Sequence, residues 1–125
     1  MKDFSNSWKS SKNPRKQRKY RLKGHLNIKY KFIRSHLSAE LRKKYGKRSV
    51  GAKKGDKVKV MRGQFKKHEG KIERVDLKKI KVFVSGVELT KKDGSKKMLA
   101  LDPSKIMITE LNLDDKLRQK ILDRK

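Results

Sequence analysis

The sequence predicts a mainly β fold: a small five-stranded barrel with a long basic N-terminal arm, a short helix before the barrel and a C-terminal helix. Three observations predict it. Between Val50 and Ile108, short apolar runs recur at close spacing with glycine or Asp-Gly turns between them. Residues 1–50 hold 17 basic and 2 acidic residues but few apolar ones, which describes an arm. At the end of the chain, Leu113, Leu117, Ile121 and Leu122 share one helical face. The expected division is 1–50 for the arm, 51–111 for the barrel and 112–125 for the last helix.

Charge bounds the function. The 125 residues are one domain's worth, and 39 Lys and Arg against 13 Asp and Glu give a formal charge of +26. A compact state with that much like charge is destabilised unless a polyanion supplies the counter-charge. Hydrophobic residues make up 33% of the chain, below the usual ~45–50%, so part of it is expected to order only on a partner. Nucleic acid, an anionic membrane and acidic protein are the available polyanions. No run approaches the ~18 apolar residues of a membrane span or resembles a signal peptide's apolar region, and the cations are spread through tail, loops and strands. Nucleic acid is therefore the expected partner, with no membrane, no small-molecule substrate and no homo-oligomer.

Other chemistry finds little material. With no cysteine there is neither a disulfide nor a thiolate metal site, an absence consistent with a reducing compartment. His25, His36 and His68 fit no zinc spacing, so neither a metal nor a cofactor is expected. Asp56, Asp76, Glu88, Asp102 and Glu110 fall at strand ends or faces with no His or Cys beside them, and no catalytic residues are expected. The chain does not read as an enzyme.

Within the arm, residues 1–23 show no sustained period of 3.6 or 2 and are expected to be disordered in isolation. Ser38 has the chemistry of an N-cap, Glu40 suits the positive end of a helix, and Leu37, Leu41 and Tyr45 fall four apart. Gly46 is a natural stop, giving a helix over 38–45. Lys57-Val58-Lys59-Val60 alternates as a half-buried strand does. A second strand, 71–76, needs a bulge or twist to turn both Ile72 and Val75 inward. A third covers 81–84, and Ser85-Gly86 shifts the phase before Val87 and Leu89. Asp93-Gly94 marks a tight hairpin. Met98, Leu99 and Leu101 follow, with Ile106 and Ile108 in a last strand. The expected inward set is Val58, Val60, Ile72, Val75, Val82, Val84, Val87, Leu89, Leu99, Ile106 and Ile108. The stripe Leu113, Leu117 and Ile121 is expected to cover the barrel's apolar surface.

The most specific run is Asp56 to Ile72, DKVKVMRGQFKKHEGKI. It resembles the KOW motif, a strand–loop–strand unit of ribosomal proteins and transcription elongation factors. Gly63 and Gly70 permit backbone geometry that a side chain would strain, and the loop between them lifts Lys66, Lys67 and His68 off the sheet. The alternative is that both glycines are ordinary hairpin punctuation. Many KOW members have glycine where Lys67 stands here.

Ordered local matches extend the resemblance. They run through Ser11–Tyr20, His36–Gly46, Lys59–Gly63, Asp93-Gly94 and Asp102–Thr109, and together they resemble the archaeal and eukaryotic branch of the uL24 family of large-subunit ribosomal proteins. Relatives often carry His-Pro-Ser where this chain has Asp102-Pro103-Ser104. The resemblance implies an SH3-like barrel bound to large-subunit ribosomal RNA near its 5′ domain, close to the polypeptide exit tunnel. It also implies a part in subunit assembly, neighbouring ribosomal proteins as partners, and a cytoplasmic location in the ribosome. A transcription-associated KOW module, or another nucleic-acid-binding module, is the alternative.

The expected RNA contacts fall in three groups. The arm supplies Lys12, Arg15, Lys16, Arg18, Lys19, Tyr20 and Arg21, with Arg34 beyond them, and its cluster could also serve as a localisation address alongside RNA binding. The motif loop supplies Arg62, Lys66, Lys67 and His68. The hairpin tip supplies Lys91, Lys92, Lys96 and Lys97, for which a solvated charged turn is the alternative. Trp8, Tyr20, Tyr30 and Phe32 either stack on unpaired bases or pack locally.

Overall fold

Alternation at Lys57-Val58-Lys59-Val60 does build a strand, with both valines buried and both lysines half-exposed. The computed structural model describes residues 4–5, 7–8 and 10–124. Parts of the expected arm (residues 1–3, 6 and 9) and Lys125 of the expected last helix lie outside the described residues. In chain order the elements are α1 (Pro14–Lys23), α2 (Leu26–Phe32), β1 (Arg34–Leu37), α3 (Ala39–Tyr45), β2 (Ser49–Gly51), β3 (Lys57–Val60) and β4 (Glu69–Asp76). They continue with β5 (Lys81–Val84), β6 (Glu88–Thr90), β7 (Lys96–Met98), a 3-10 turn (Pro103–Lys105), β8 (Ile106–Glu110) and α4 (Lys116–Asp123).

The expected five-stranded barrel is corrected. Six strands form one mixed sheet in the order β2-β1-β8-β3-β4-β5, with β1 parallel to β8 and the other neighbours antiparallel. Strands β6 and β7 form a separate two-stranded ribbon. The pairings make an open series rather than a closed ring among the described residues. The chain comes back to β5 through a bridge between Val82 and Leu101, whose N–H groups each donate to the other's carbonyl at 2.9 Å. Helices hold nearly as many residues as strands, so the class is mixed rather than mainly β.

The core matches most of the expected set. Val58, Val60, Ile72, Val82, Val84, Val87, Ile106 and Ile108 are buried, and Val75 and Leu99 pack half-buried against them. Leu89 is 41% exposed because it belongs to the separate ribbon. The bulge needed to turn Ile72 and Val75 inward is present as a register shift between Ile72 and Arg74. Ile33, Leu37, Val50, Ala52, Ile80, Leu101 and Leu122 complete the core. Several of these come from segments 33–37 and 50–52, which the sequence pattern did not mark as strands.

Contrary to expectation, much of the arm is helical. Asn13 Oδ1 accepts from the Arg15 N–H at 3.0 Å, Pro14 occupies the first turn, and Gly24 closes α1 by donating to the Tyr20 carbonyl at 3.0 Å. An N-cap of this kind stabilises a helix by about 1 kcal/mol. α3 forms where expected: Ser38 Oγ caps the Leu41 N–H at 3.4 Å, and Gly46 ends it at φ 62°.

α4 exists, but its buried face differs from the expected stripe. Asp115 Oδ1 caps the N–H groups of Leu117 and Arg118 at 2.8 and 3.4 Å. Arg118 and Leu122 face inward, while Leu117 is 69% and Ile121 46% exposed. The inward turn of Arg118 has a chemical reason: its guanidinium meets the buried carboxylate of Asp56 at 2.6 Å.

Candidate nucleic-acid interface

α1 presents a cationic face that no described residue neutralises. Arg15, Lys16, Arg18 and Lys19 are exposed and form no ion pair with a described residue. Arg15 faces both Arg18 and Lys19 at helical spacing, Lys16 faces Lys19, and Arg18 faces Arg21. Each like-charge pair opposes the helix by about 0.2–0.5 kcal/mol. No acidic residue occupies the first turn, so Arg15 and Lys16 also sit at the positive end of the helix dipole. An external polyanion relieves all of these repulsions together.

The inner side of α1 is held by rings. Tyr20 stacks on Trp8 with centroids 4.6 Å apart and on Phe4 at 5.0 Å, and meets the edge of Phe32 at 6.3 Å. Local packing is thus the observed state of Trp8, Tyr20 and Phe32. Tyr30 is 54% exposed on another face.

The 61–68 loop is closed by its own backbone. Val60 donates to the His68 carbonyl and Lys67 to the Val60 carbonyl, both at 2.8 Å, while Phe65 packs against the core. Gly63 at φ 96° and Lys67 at φ 72° are both left-handed. Lys67 therefore adopts a conformation that favours glycine, and the loop keeps this backbone without one. Gly70 has a different reason for being glycine. An added Cβ would stand 2.6 Å from the Ser85 carbonyl oxygen, a close approach rather than the strained turn expected.

Arg62, Lys66 and Lys67 are exposed, but His68 folds back with Nε2 2.9 Å from the Ser85 carbonyl oxygen. The flanking Lys57 and Lys59 are already paired, with Glu110 and Glu69, each at 2.9 Å. The two β3 lysines are therefore occupied, whereas Arg62, Lys66 and Lys67 of the loop form no ion pair with a described residue.

The β6–β7 ribbon leaves Lys91, Lys92, Lys96 and Lys97 exposed around its turn. Gly94 has φ 80°, as the Asp-Gly signal demands. Asp93 Oδ1 accepts from the Ser95 hydroxyl at 2.7 Å and its N–H at 2.9 Å, and the hydroxyl bond chiefly holds this carboxyl below its ordinary range. Its charge is spent on the turn.

Asp102 ties the arm to the cleft that the loop also lines. Its Oδ2 accepts from Arg21 Nη2 at 3.2 Å and lies 3.5 Å from Lys81 Nζ, while its Oδ1 accepts from Ser104. Arg62, Lys81, Asp102 and Lys105 line one cleft. Desolvation, the largest single influence on Asp102, pushes its pKa up. Arg21, the Ser104 hydrogen bonds and Lys81 together outweigh it, and the pKa lies below the ordinary value. The result is a basic surface running from α1 across the cleft to the motif loop.

A family described as the eukaryotic ribosomal proteins L26 and their archaeal counterparts matches residues 11–125. The chain belongs to this family. It is 50% identical over 109 residues to the protein named large ribosomal subunit protein uL24 of Methanocorpusculum labreanum, covering 87% of this chain and 90% of that one. It is 48% identical over 114 residues to the protein of the same name from Methanothrix thermoacetophila, covering 91% and 98%.

In this uL24-family chain, the residues expected to touch RNA do not form one patch. Arg15, Lys16, Arg18, Lys19 and Arg21 come together on α1, and Arg62 joins them through the Asp102 cleft. Lys12 is exposed just before α1, and the four ribbon lysines stand on their own element. Arg34 lies elsewhere, lining a separate groove beside α4. Sequence reasoning missed Lys81 and Lys105 of the cleft. Their neighbour Asp102 was the available signal, since an acidic residue before a turn in so basic a chain needs cationic company. Among the described residues no cluster of His, Cys, Asp or Glu suits a metal ion, and no helix is long and apolar enough to cross a membrane.

Proposed function

We propose that this chain is a structural constituent of the large ribosomal subunit that binds large-subunit ribosomal RNA through its phosphates and helps the RNA fold during assembly. The observation that carries the RNA reading is the unneutralised cationic face of α1, continuous through the Asp102 cleft with the motif loop. Helices with this pattern gain stability when phosphates replace the missing counter-charges, and counterion release from the RNA favours binding. Family membership and the names of the two relatives support the large subunit as the place where this happens. By resemblance to the family, the RNA is the 5′ domain near the polypeptide exit tunnel, the fold is allied to the SH3-like barrels, and the compartment is the cytoplasm. Neighbouring ribosomal proteins complete the surroundings. Family membership supports a structural rather than an enzymatic role.

Sedimentation tests the assignment. The protein is expected to travel with the large subunit through a gradient at moderate salt. Recovery only with RNA polymerase or DNA would overturn it and favour a transcription-associated module.

A further inference from the structure

A groove of about 920 Å³ lies between α4 and the edge strand β2, away from the cationic face of α1. Its apolar lining includes Tyr30, Val75, Leu77, Leu117 and Ile121. Three of these are unusually open for their size: Leu117 is 69%, Tyr30 54% and Ile121 46% exposed. Isolated apolar residues on a surface need no explanation, but several lining one concavity do. The groove is held firmly, since Lys47 Nζ donates to the Ile121 carbonyl at 2.8 Å and also to that of Arg124, fixing the end of α4.

The rim is cationic. Arg34, Arg48, Lys54 and Arg124 line it and form no ion pair with a described residue. The lining carboxylate, Asp115, is already held by Lys53 at 2.7 Å and by the N–H groups of α4. An occupant must therefore bring apolar side chains for the floor and negative charge for the rim.

Chemistry separates the possible occupants. A second copy of a chain carrying +26 would meet like charge along the rim. Unpaired RNA bases favour aromatic platforms on which to stack, whereas this floor is aliphatic apart from Tyr30. Aliphatic floors ringed by charge suit protein segments, whose apolar anchors fill the centre while polar groups meet the rim.

We propose that the groove docks a segment of a partner protein in which aliphatic side chains are flanked by carboxylates. This surface is distinct from the proposed RNA face, and the proposal does not depend on RNA binding.

The test uses the full-length chain, isotope-labelled for NMR, and three probes at moderate salt. The first is a synthetic amphipathic peptide with leucines on one face and glutamates on the other. The second has every leucine replaced by serine, and the third is an oligouridine. The leucine peptide is expected to shift the resonances of Val75, Leu77, Leu117 and Ile121 and to bind at least tenfold more tightly than the serine peptide. Leu117→Asp with Ile121→Asp should weaken it at least tenfold while leaving oligouridine affinity within twofold. Both positions are exposed, so the fold should survive, as a melting curve will show; if it does not, Arg48→Gln with Lys54→Gln should still weaken the peptide at least threefold. Equal binding of the two peptides, peptide shifts confined to α1 and the 61–68 loop, or oligouridine shifts centred on the groove would each overturn the proposal. Failure of oligouridine to bind anywhere would instead count against the RNA reading and leave the groove result standing on its own.

Discussion

Both carboxylate oxygens of Asp56 accept from the guanidinium of Arg118, at 2.6 and 2.7 Å, and both side chains are buried. The two residues lie 62 positions apart in the chain. Asp56 also accepts from the N–H groups of Lys53 and Asn112, each at 2.9 Å. Arg118 donates further to the carbonyls of Asn112 at 2.8 Å and Gly51 at 3.2 Å. One buried, fully partnered ion pair thus ties α4 to the entry of β3 and to the edge strand β2. A well-packed apolar pair could stabilise the site as much, but neither charge tolerates losing its partner.

Arg118→Ala is accordingly expected to destabilise the chain by about 3–5 kcal/mol, because it strands a buried carboxylate. Chemical denaturation measures the loss. The double variant Asp56→Ala, Arg118→Ala should lose clearly less than the sum of the two single changes, since the pair is one interaction. Simple additivity would show that the two side chains act independently.

Lys67→Gly is expected to stabilise the protein. A non-glycine residue in the left-handed region carries a cost of about 1–2 kcal/mol, and glycine's greater freedom in the unfolded chain returns roughly 0.5–1 kcal/mol of that. With φ 72° at Lys67, a net gain of about 0.5–1 kcal/mol should appear as a raised melting temperature. A lower melting temperature would mean that the lysine side chain contributes packing that offsets its backbone strain.

Gly70 and Gly63 should respond to substitution for different reasons. At Gly70 a Cβ would sit 2.6 Å from a backbone oxygen, so Gly70→Val forces β4 and the Ser85 segment apart. We expect a loss of about 1–3 kcal/mol, as for overpacking. At Gly63 nothing lies within 4 Å and the strain is conformational alone, so Gly63→Ala should cost about 1 kcal/mol. A melt of Gly70→Val matching the unsubstituted protein would refute the close approach.

The link between α1 and the sheet should weaken in acid. The pKa of Asp102 is lowered in the folded protein. Its contribution is therefore fully present above the unfolded value of about 3.9 and is lost as pH falls through the folded pKa. Trp8 fluorescence reports the docking of α1 through its stack on Tyr20. Asp102→Asn should shrink the acid-induced change, and an unaltered titration would remove Asp102 from that role.

Local chemistry made part of this fold legible. Ser38 and Gly46 bound α3, Asp93-Gly94 turns the β6–β7 hairpin, and the spacing of Ile72 and Val75 foretells the bulge in β4. Each signal is contained within a few residues. α1 was hidden because a single ring of its own, Tyr20, anchors it on rings from outside the helix while the rest is mostly cationic, leaving no apolar stripe. The pair Asn13-Pro14 and the stop at Gly24 were its only readable marks. β1 and β2 are only four and three residues long and exist through their pairing with each other and of β1 with β8. The inward face of α4 depends on Asp56, far away in sequence, so Leu113 and Leu122 of the expected stripe pack inward while Leu117 and Ile121 do not. At the candidate interface the exposed cations were legible from composition and Asp102 marked the cleft, but the folding of His68 onto Ser85 and the choice of Arg21 as a partner of Asp102 are tertiary contacts with no local signature.

Phosphate binding by α1 is tested most directly by the salt dependence of affinity for a large-subunit ribosomal RNA fragment. Replacing Arg15, Arg18 and Lys19 by glutamine removes three cations that have no ion-pair partner among the described residues while leaving the rings beneath α1 in place. Each lost phosphate contact should lower the slope of log affinity against log salt by about 0.7–0.9. The account predicts weaker binding and a slope shallower by about 2–3 for the triple variant. A slope and affinity equal to those of the unsubstituted protein would contradict it.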